Sequence, residues 1–251
     1  MKILASYNIK GGVGKTAAAV NLSYCAAQTG ARVLIWDLDP QAATTFYFRV
    51  KPKVKGGGRR LLLGKHGLEN QIKGTDYPTL DLLPADFSYR RLDFVLDAGK
   101  KPRRRLQRLL KPLAKDYDYV FLDCAPGISL VSEAVFGTVD ALLVPIIPTT
   151  LSLRTYEQLL DFFARKKIDD VPVMPFFSIV DWRKTLHRDL VLRMRSGPTG
   201  MLQTVIPSTT EVERMGLHRA PVCEYAAKSR AGLAYQELWA EICGRLENHV
   251  R

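Results

Sequence analysis

Short apolar runs of strand length alternate along the chain with longer segments in which apolar residues recur at helical spacing. This alternation is typical of an α/β fold, in which helices cover both faces of a mostly parallel sheet. The sequence shows no internal repeat and no Ser/Gly-rich linker, so we expect one doubly wound domain over residues 1–251. The runs that predict strands are Lys2–Asn8, Arg32–Trp36, Thr79–Leu83, Tyr119–Leu122, Ala141–Pro145 and Val173–Val180, and the segments that predict helices are Gly14–Thr29, Leu151–Lys166, Lys184–Arg195 and Arg230–Glu247.

Two strongly basic segments interrupt this pattern. Residues 49–60 carry six basic side chains, no acid and three consecutive glycines, which predicts a mobile, solvated insertion and no regular core element. Residues 100–108 carry six more basic side chains, and Pro102 suits the first turn of a helix that continues through Leu106 and Leu110. For this second segment a solvated helix face and a partner-binding face are both open interpretations.

The charge of the chain is unusual for its size. Lys and Arg number 37 against 25 Asp and Glu, which gives a net charge of +12. A compact protein this basic favours a polyanionic partner, of which nucleic acid is the commonest, with anionic membrane surfaces and acidic proteins as alternatives. No apolar run reaches the length of about 18 residues that a transmembrane helix needs. The N-terminus lacks the layout of a signal peptide, and the four cysteines are widely spaced, so we expect reduced thiols in the cytoplasm.

A glycine-rich segment, residues 8–16 (NIKGGVGKT), joins the first predicted strand to the first predicted helix. Glycines let backbone N–H groups approach phosphate oxygens, and the N-terminus of the helix favours negative charge. Lys15 is expected to reach the β- and γ-phosphates, and the Thr16 hydroxyl to bind Mg²⁺. Ile9 occupies the position where the usual phosphate-loop pattern has its first glycine, and Lys10 adds a second lysine.

The heptapeptide Lys10–Thr16 (KGGVGKT) resembles the deviant Walker A loop of the ParA/MinD family of ATPases. The resemblance implies a P-loop fold, ATP and Mg²⁺ as cofactors, and a homodimer in the ATP state. It further implies that Lys10 reaches across the dimer interface to the nucleotide of the other subunit, where it offsets the charge of two facing ATP molecules. The residues that would bind the nucleotide are Lys10, Gly11, Gly12, Val13, Gly14, Lys15, Thr16 and Ala17.

Two further segments place carboxylates at the ends of predicted strands. Asp37 and Asp39 follow the second strand in a DLDPQ sequence, which resembles the switch segment of the ParA branch. The resemblance implies that Asp39 acts on the attacking water and that Asp37 orders water around Mg²⁺; a plain Asp-Pro turn is the alternative. Asp123 ends the apolar run from Tyr119, which is the Walker B arrangement for Mg²⁺. Ala125 stands where the family commonly has proline, and we expect the neighbouring Cys124 to be a buried packing thiol.

The last third of the chain carries the resemblance further. Residues 205–207 resemble the loop on the adenine side, where Pro207 would pack on the base, although a simple turn proline is also open. Residues 177–183 resemble a family strand end, with Ser178 where asparagine is frequent. Basic residues of this third bind DNA without sequence preference in the ParA branch, through phosphate contacts whose affinity falls with salt. The matching positions are Arg193, Arg195, Lys228 and Arg230.

A membrane-bound, MinD-like protein is the main rival interpretation. The C-terminal segment has an apolar stripe (Leu238, Trp239, Ile242 and Leu246), but its acids balance its bases, which favours a helix that closes the core. We therefore expect a short ParA-type ATPase without a separate N-terminal DNA-reading domain. It would be nucleoid-associated and would position a plasmid, a chromosome region or a protein body, with hydrolysis stimulated by a ParB-like or cargo adaptor. A small-molecule ligase of the dethiobiotin or cobyrinate type remains a second alternative.

Overall fold

A central sheet organises the molecule. The computed structural model describes residues 1–64, 67–98, 103–195 and 200–248, which form an eight-stranded sheet in the order β3-β4-β2-β5-β1-β6-β7-β8. Within these residues β3 pairs antiparallel with β4, and all other pairs are parallel, which confirms the predicted fold class. The strands are β1 (Lys2–Ser6), β2 (Val33–Asp37), β3 (Lys73–Gly74), β4 (Leu80–Leu83), β5 (Tyr119–Asp123), β6 (Ala141–Ile146), β7 (Val173–Val180) and β8 (Val205–Pro207).

Helices cover both faces of this sheet. They are α1 (Lys15–Gln28), α2 (Ala43–Tyr47), α3 (Gly57–Leu62), α4 (Leu92–Asp97), α5 (Arg103–Leu110), α6 (Leu130–Phe136), α7 (Thr150–Lys166), α8 (Thr185–Arg195), α9 (Thr210–Glu213), α10 (Met215–His218), α11 (Val222–Tyr225) and α12 (Arg230–Asn248). Three short 3₁₀ segments lie at Leu68–Gln71, Phe87–Arg91 and Lys111–Lys115 in the described residues.

The core is divided into two layers by the alternation of side chains along the strands. In β5, Phe121 packs with α1 and α12, whereas Val120 and Leu122 face the opposite layer under α4 to α8. Both faces of β5 are therefore buried, which explains why its sequence is almost continuously apolar. The predicted strands and helices are all present, with ends that differ by one or two residues. The short edge strands β3 and β8 were not predicted, because a strand of two or three residues carries too little periodicity.

The expectation that residues 49–60 form no regular core element is wrong, whereas their mobility stays a prediction. Val54 is buried at 3% exposure, and α3 begins at Gly57. The Val54 N–H donates to Asp86 Oδ2 at 2.9 Å, and the Gly58 N–H donates to Ser88 Oγ at 2.8 Å. A Cβ on Gly58 would lie 2.7 Å from atoms of Tyr89 and Leu92, so this glycine allows the backbone to pack against the 3₁₀ segment. The segment is thus docked through three backbone hydrogen bonds, from Val54, Lys55 and Gly58, and through the buried Val54 side chain, while its basic side chains stay exposed.

The second basic segment lies partly outside the described residues, which omit residues 99–102 and hence Pro102. From Arg103 onward it forms α5, which confirms the predicted helix, and Leu106 and Leu110 are buried. Arg105 of α5 and Arg59 of α3 line the same surface cavity of about 710 Å³, together with the exposed Phe94. The fold therefore brings the two basic segments to one surface.

Helix α12 closes the core, as its balanced charge predicted. Leu238, Trp239, Ile242 and Leu246 are buried with exposures of 6% or less. The Glu241 carboxylate accepts hydrogen bonds from the backbone N–H groups of residues 203 and 204. The apolar stripe is thus used inside the molecule. Among the described helices, none combines the length and apolar character needed to cross a bilayer.

Candidate functional site

The carboxyl ends of three neighbouring strands bring the predicted acids together. Strands β2, β5 and β1 are adjacent, and their parallel register pairs Asp37 with Asp123 and Ser6 with Asp123. The glycine-rich loop starts just beyond Ser6, so it leaves the sheet at the same edge as both aspartates. Ligands of doubly wound folds bind at this edge, beyond the carboxyl ends of the strands.

The glycine-rich loop is held in a conformation that its glycines permit. Gly12 and Gly14 have left-handed φ values of 71° and 95°, and α1 begins at the next residue, Lys15. A Cβ on Gly14 would lie 2.7 Å from Ser178 Oγ on β7. The Asn8 side chain anchors the start of the loop, because its Nδ2 donates to the Pro145 carbonyl at 2.8 Å while its Oδ1 accepts from the Lys10 N–H at 2.9 Å. The cradle predicted for phosphate is therefore formed in the folded chain.

Lys15 lies inside this cradle and is 7% exposed. Its Nζ donates a hydrogen bond to the Lys10 carbonyl at 3.1 Å. Burial lowers the pKa of Lys15, and the negative charge of Asp123 and Asp39 opposes that shift. The ammonium is thus placed between the loop and the carboxylates, as a phosphate-binding lysine requires.

Asp37 and Asp123 are fully buried next to one another. Asp37 Oδ2 accepts from the Thr45 N–H at 2.8 Å and from Thr45 Oγ1 at 2.7 Å, and Asp123 Oδ2 accepts from Thr44 Oγ1 at 2.7 Å. Burial raises the pKa of both carboxyls, and the charge of Asp123 adds to the shift at Asp37. Two like charges this close favour a cation between or beside them.

One carboxylate oxygen of this aspartate pair is suited to act as a metal ligand. Asp123 Oδ1 is buried and has no hydrogen-bond partner within the described part of the chain. The nearby Thr16 hydroxyl lowers the pKa of Asp123, although its geometry falls short of a hydrogen bond to that oxygen. Carboxylate and hydroxyl oxygens are the donor set that Mg²⁺ prefers. The residues predicted for the metal, Thr16, Asp37 and Asp123, are therefore grouped and chemically suited to it.

Asp39 is half-buried at the rim of the same site. Its Oδ1 accepts from the Gln41 N–H at 2.9 Å, and its carbonyl accepts from the Ala42 N–H at 2.9 Å. Its charge raises the pKa of Asp123, which indicates that the two carboxylates are close. The Asp-Pro segment therefore does form a turn, and that turn holds Asp39 at the rim of the site.

The paired threonines Thr44 and Thr45 were missed from the sequence. Both are fully buried on α2 and each holds one of the two aspartates. Thr45 Oγ1 also accepts from the Ala85 N–H at 2.9 Å, which ties the segment that follows β4 to the site. The sequence feature that could have indicated them is a pair of consecutive threonines shortly after the strand that ends in Asp37. In a five-residue helix, periodicity does not reveal that both side chains face inward.

A small cavity lies beside the loop on the side predicted for the base. It has a volume of about 150 Å³, and Gly14, Ala17 and Pro207 are among its lining residues. Ile179 lines it in a left-handed conformation, with φ of 57°, at an irregularity in the pairing of β7 with β8. Pro207 belongs to β8 and not to a loop, and it is buried at this position. The structure thus brings Pro207 and Ala17 together next to the phosphate loop.

The basic residues predicted to contact DNA separate into two groups. Arg195 of α8 and Arg230 of α12 line one groove of about 390 Å³, together with Pro207 and Glu237. Arg195 Nε donates to Gln203 Oε1 at 3.1 Å. Arg193 and Lys228 are exposed, and among the described residues they do not line this groove.

Comparison with known proteins agrees with this geometry. Residues 1–170 match a family described as an AAA domain. Soj, the sporulation initiation inhibitor protein of Bacillus subtilis, is 28% identical over 247 residues, which cover 96% of this chain and 98% of Soj.

Solved structures give the same picture. Cobyrinic acid a,c-diamide synthase of Mycobacterium smegmatis, solved with an ATP analogue and magnesium, is 26% identical with a TM-score of 0.81, covering 96% of this chain and 93% of its own. A Cyanothece McdA variant, solved as an ATP complex, has a TM-score of 0.85 over 97% of this chain and 96% of its own; at 21% identity this likeness concerns the fold. The loop, the paired aspartates and these matches show that the chain belongs to the ParA/MinD family of ATPases.

Proposed function

We propose that this ATPase is a dimerising switch that binds DNA without sequence preference in its ATP state and positions or partitions a cargo. The family likeness to Soj and the net charge of +12 support this proposal together. The cargo would be a plasmid, a chromosome region or a protein body. A ParB-like or cargo-linked adaptor would stimulate hydrolysis and so release the dimer from DNA.

ATP and Mg²⁺ are the cofactors of the site. Residues 10–17 would hold the phosphates, with Lys15 as the principal cation, and Pro207 would contact the base. Thr16 and Asp123 would bind Mg²⁺, whose charge supports phosphoryl transfer, while Asp37 would order water around it. Asp39, at the rim, is the residue we assign to the attacking water. Lys10 would reach the nucleotide of the other subunit.

One observation carries the link between nucleotide and DNA. Pro207 lines both the small cavity beside the phosphate loop and the groove that contains Arg195 and Arg230. A nucleotide that displaces β8 would therefore move one wall of the basic groove. Phosphate contacts by these arginines need no base readout, which suits non-specific binding.

Fluorescence anisotropy with a labelled random-sequence DNA duplex tests the proposal. Binding is expected with ATP and Mg²⁺, and to be weaker with ADP or no nucleotide. The affinity should fall steeply as salt rises. Arg195→Ala and Arg230→Ala are each expected to lower the slope of log affinity against log salt by about 1. Arg165→Ala, an exposed arginine in the last turn of α7, is the matched control and should leave DNA binding unchanged.

Two other results would contradict the proposal. If the protein sediments with liposomes and does not bind DNA, a membrane-associated, MinD-like role is favoured. ATP-dependent amidation of a corrinoid acid, with no DNA binding, would favour the ligase alternative, to which the 26% identity with cobyrinic acid a,c-diamide synthase lends support.

A further inference from the structure

Two cysteines that lie far apart in the sequence meet in the second core layer. Cys25 Sγ on α1 and Cys223 Sγ on α11 are 3.4 Å apart, although the two residues are separated by 198 positions in the sequence. The Cys25 thiol donates to Cys223 Sγ, and the Cys223 thiol donates to the Gly232 carbonyl at 3.6 Å. Neither cysteine belongs to the nucleotide site or to the basic groove. Both are free thiols in the structure.

The pair is supported by rigid surroundings. The Cys223 N–H donates to Asn21 Oδ1 at 3.2 Å, and Asn21 is fully buried on α1. This bond holds α11 against α1 one turn away from the two sulfur atoms. Gly232, which accepts from Cys223, packs so closely that a Cβ at this position would clash with the Ala226 carbonyl oxygen. The two sulfur atoms therefore face each other across a contact fixed by the backbone on both sides.

A cavity gives small molecules access to this pair. Its volume is about 480 Å³, and Cys25 and Cys223 lie in its lining together with Tyr24, Gln28 and Trp239. Each cysteine is 6% exposed, so large reagents are kept away while a molecule of the size of hydrogen peroxide fits. The hydrogen bond to Cys223 and, after it, burial raise the pKa of Cys25, so we expect the pair to persist as thiols and to react slowly.

We propose that Cys25 and Cys223 form an internal dithiol site that a peroxide oxidises to a disulfide, covalently joining α1 to α11. One sulfur attacks the peroxide as a thiolate, the O–O bond breaks, and a sulfenic acid forms with loss of hydroxide. The second thiolate then attacks that sulfur and displaces its hydroxyl group, which leaves as water after protonation. In total two thiols lose two protons and two electrons, and one peroxide becomes two waters. The sulfur atoms must approach by about 1.4 Å, which is within reach of side-chain rotation.

The disulfide would join α1 to α11, and these two helices lead to different functional parts of the molecule. Helix α1 begins at the phosphate loop, and α11 directly precedes the segment that carries Lys228 and Arg230. It would also close a loop spanning nearly the whole chain, which constrains the unfolded state. This inference does not depend on the proposed DNA-binding function.

Peptide mapping of the full-length wild-type protein tests the inference directly. The protein is treated with hydrogen peroxide, quenched with catalase, denatured and alkylated with N-ethylmaleimide. Two of the four cysteines should resist alkylation, and the tryptic digest should contain Cys25 linked to Cys223. The thermal midpoint of the oxidised protein should rise by about 5 to 10 °C and return on reduction.

Cysteine variants separate this pair from the other thiols. In the Cys25→Ser and Cys223→Ser variants, all three remaining thiols should still be alkylated after peroxide treatment. The Cys124→Ser variant removes a thiol of the other core layer, so two of its three remaining thiols should become resistant to alkylation. Three results would each overturn the inference. They are full alkylation of the wild-type protein after peroxide, a disulfide that involves Cys243, and sulfinic acid at Cys25 without the linked peptide. Because the wild-type map is decisive alone, a variant that fails to fold does not weaken the test.

Discussion

Asp37 and Asp123 stand side by side at the ends of adjacent parallel strands, and two consecutive threonines bind one each. Asp123 Oδ2 receives the Thr44 hydroxyl, whereas Asp123 Oδ1 has no partner among the described residues. The same carboxylate thus has one oxygen satisfied by the protein and one left for a ligand. This division of roles makes Thr44 important for the geometry of the site.

Thr44→Val removes the hydroxyl and leaves both oxygens of a buried carboxylate without a protein donor. We expect the free energy of unfolding to fall by about 1 to 3 kcal/mol. Urea unfolding monitored by circular dichroism measures it. Thr44→Ser keeps the hydroxyl and should retain most of the stability; a Thr44→Val protein as stable as wild type would show that the hydroxyl contributes nothing to it.

Gly14→Ala is expected to disturb the phosphate loop. The residue has a φ of 95°, and the new Cβ would lie 2.7 Å from Ser178 Oγ. Strain of this kind destabilises by about 1 to 3 kcal/mol, and nucleotide affinity should fall with it. Thermal unfolding and binding of a fluorescent ATP analogue provide the measurements. Gly216→Ala, where a Cβ meets nothing within 4 Å, is the control and should be close to neutral; an equally stable Gly14→Ala protein would contradict the expectation.

Asp86, which accepts the Val54 N–H of the docked basic segment, should make the stability of the protein depend on pH. Burial raises the pKa of this carboxyl, but hydrogen bonds from Ser88 and Val54 outweigh it, so the pKa lies below its usual 3.8. The folded state therefore binds the proton less readily than the unfolded state. The resulting stability is complete above pH 3.8 and is lost as pH falls through the lower folded value.

Asp86→Asn tests this dependence. At neutral pH the variant should be less stable, by no more than about 1 kcal/mol because solvent screens the group. The difference from wild type should vanish in acid. Urea unfolding over a pH series measures both proteins. A difference that stays constant into acid would assign the effect to shape and not to charge.

Lys10→Ala should separate nucleotide binding from dimerisation. If Lys10 offsets the charge of a facing nucleotide, its removal should abolish the ATP-dependent dimer and leave monomer binding of ATP intact. Light scattering with and without ATP reports the dimer. Lys51→Ala, an exposed lysine of the basic segment, serves as the control. Unchanged dimerisation by Lys10→Ala would refute the role across the interface.

Asp39→Ala is expected to stop turnover while ATP binding and dimerisation persist. The reason is that Asp39 lies at the rim, half-buried, and is assigned to the attacking water alone. Phosphate release and light scattering should be measured on the same preparation. A variant that hydrolyses ATP at the wild-type rate would remove Asp39 from the chemistry.

The sequence predicted the strands and helices of the sheet well, because apolar runs buried on both faces and long amphipathic helices leave clear periodic signals. It also predicted the grouping of Lys15, Asp37 and Asp123, since carboxyl ends of parallel strands meet at one edge. It missed Thr44 and Thr45, whose role depends on how a five-residue helix turns inward. It did not predict the helix that begins at Gly57 or the burial of Val54, because docking there depends on one valine and on the absence of a side chain at Gly58, and composition hides both.

The hydrogen bond from Lys15 Nζ to the Lys10 carbonyl has an energetic consequence for substrate capture. A free lysine side chain loses up to about 2 kcal/mol of rotational entropy when it is immobilised. Here the entropy is lost during folding, because the ammonium group is already held by its hydrogen bond to the Lys10 carbonyl. When a triphosphate arrives, the lysine exchanges one oxygen partner for another, so more of the Coulombic attraction is left to hold the incoming anion.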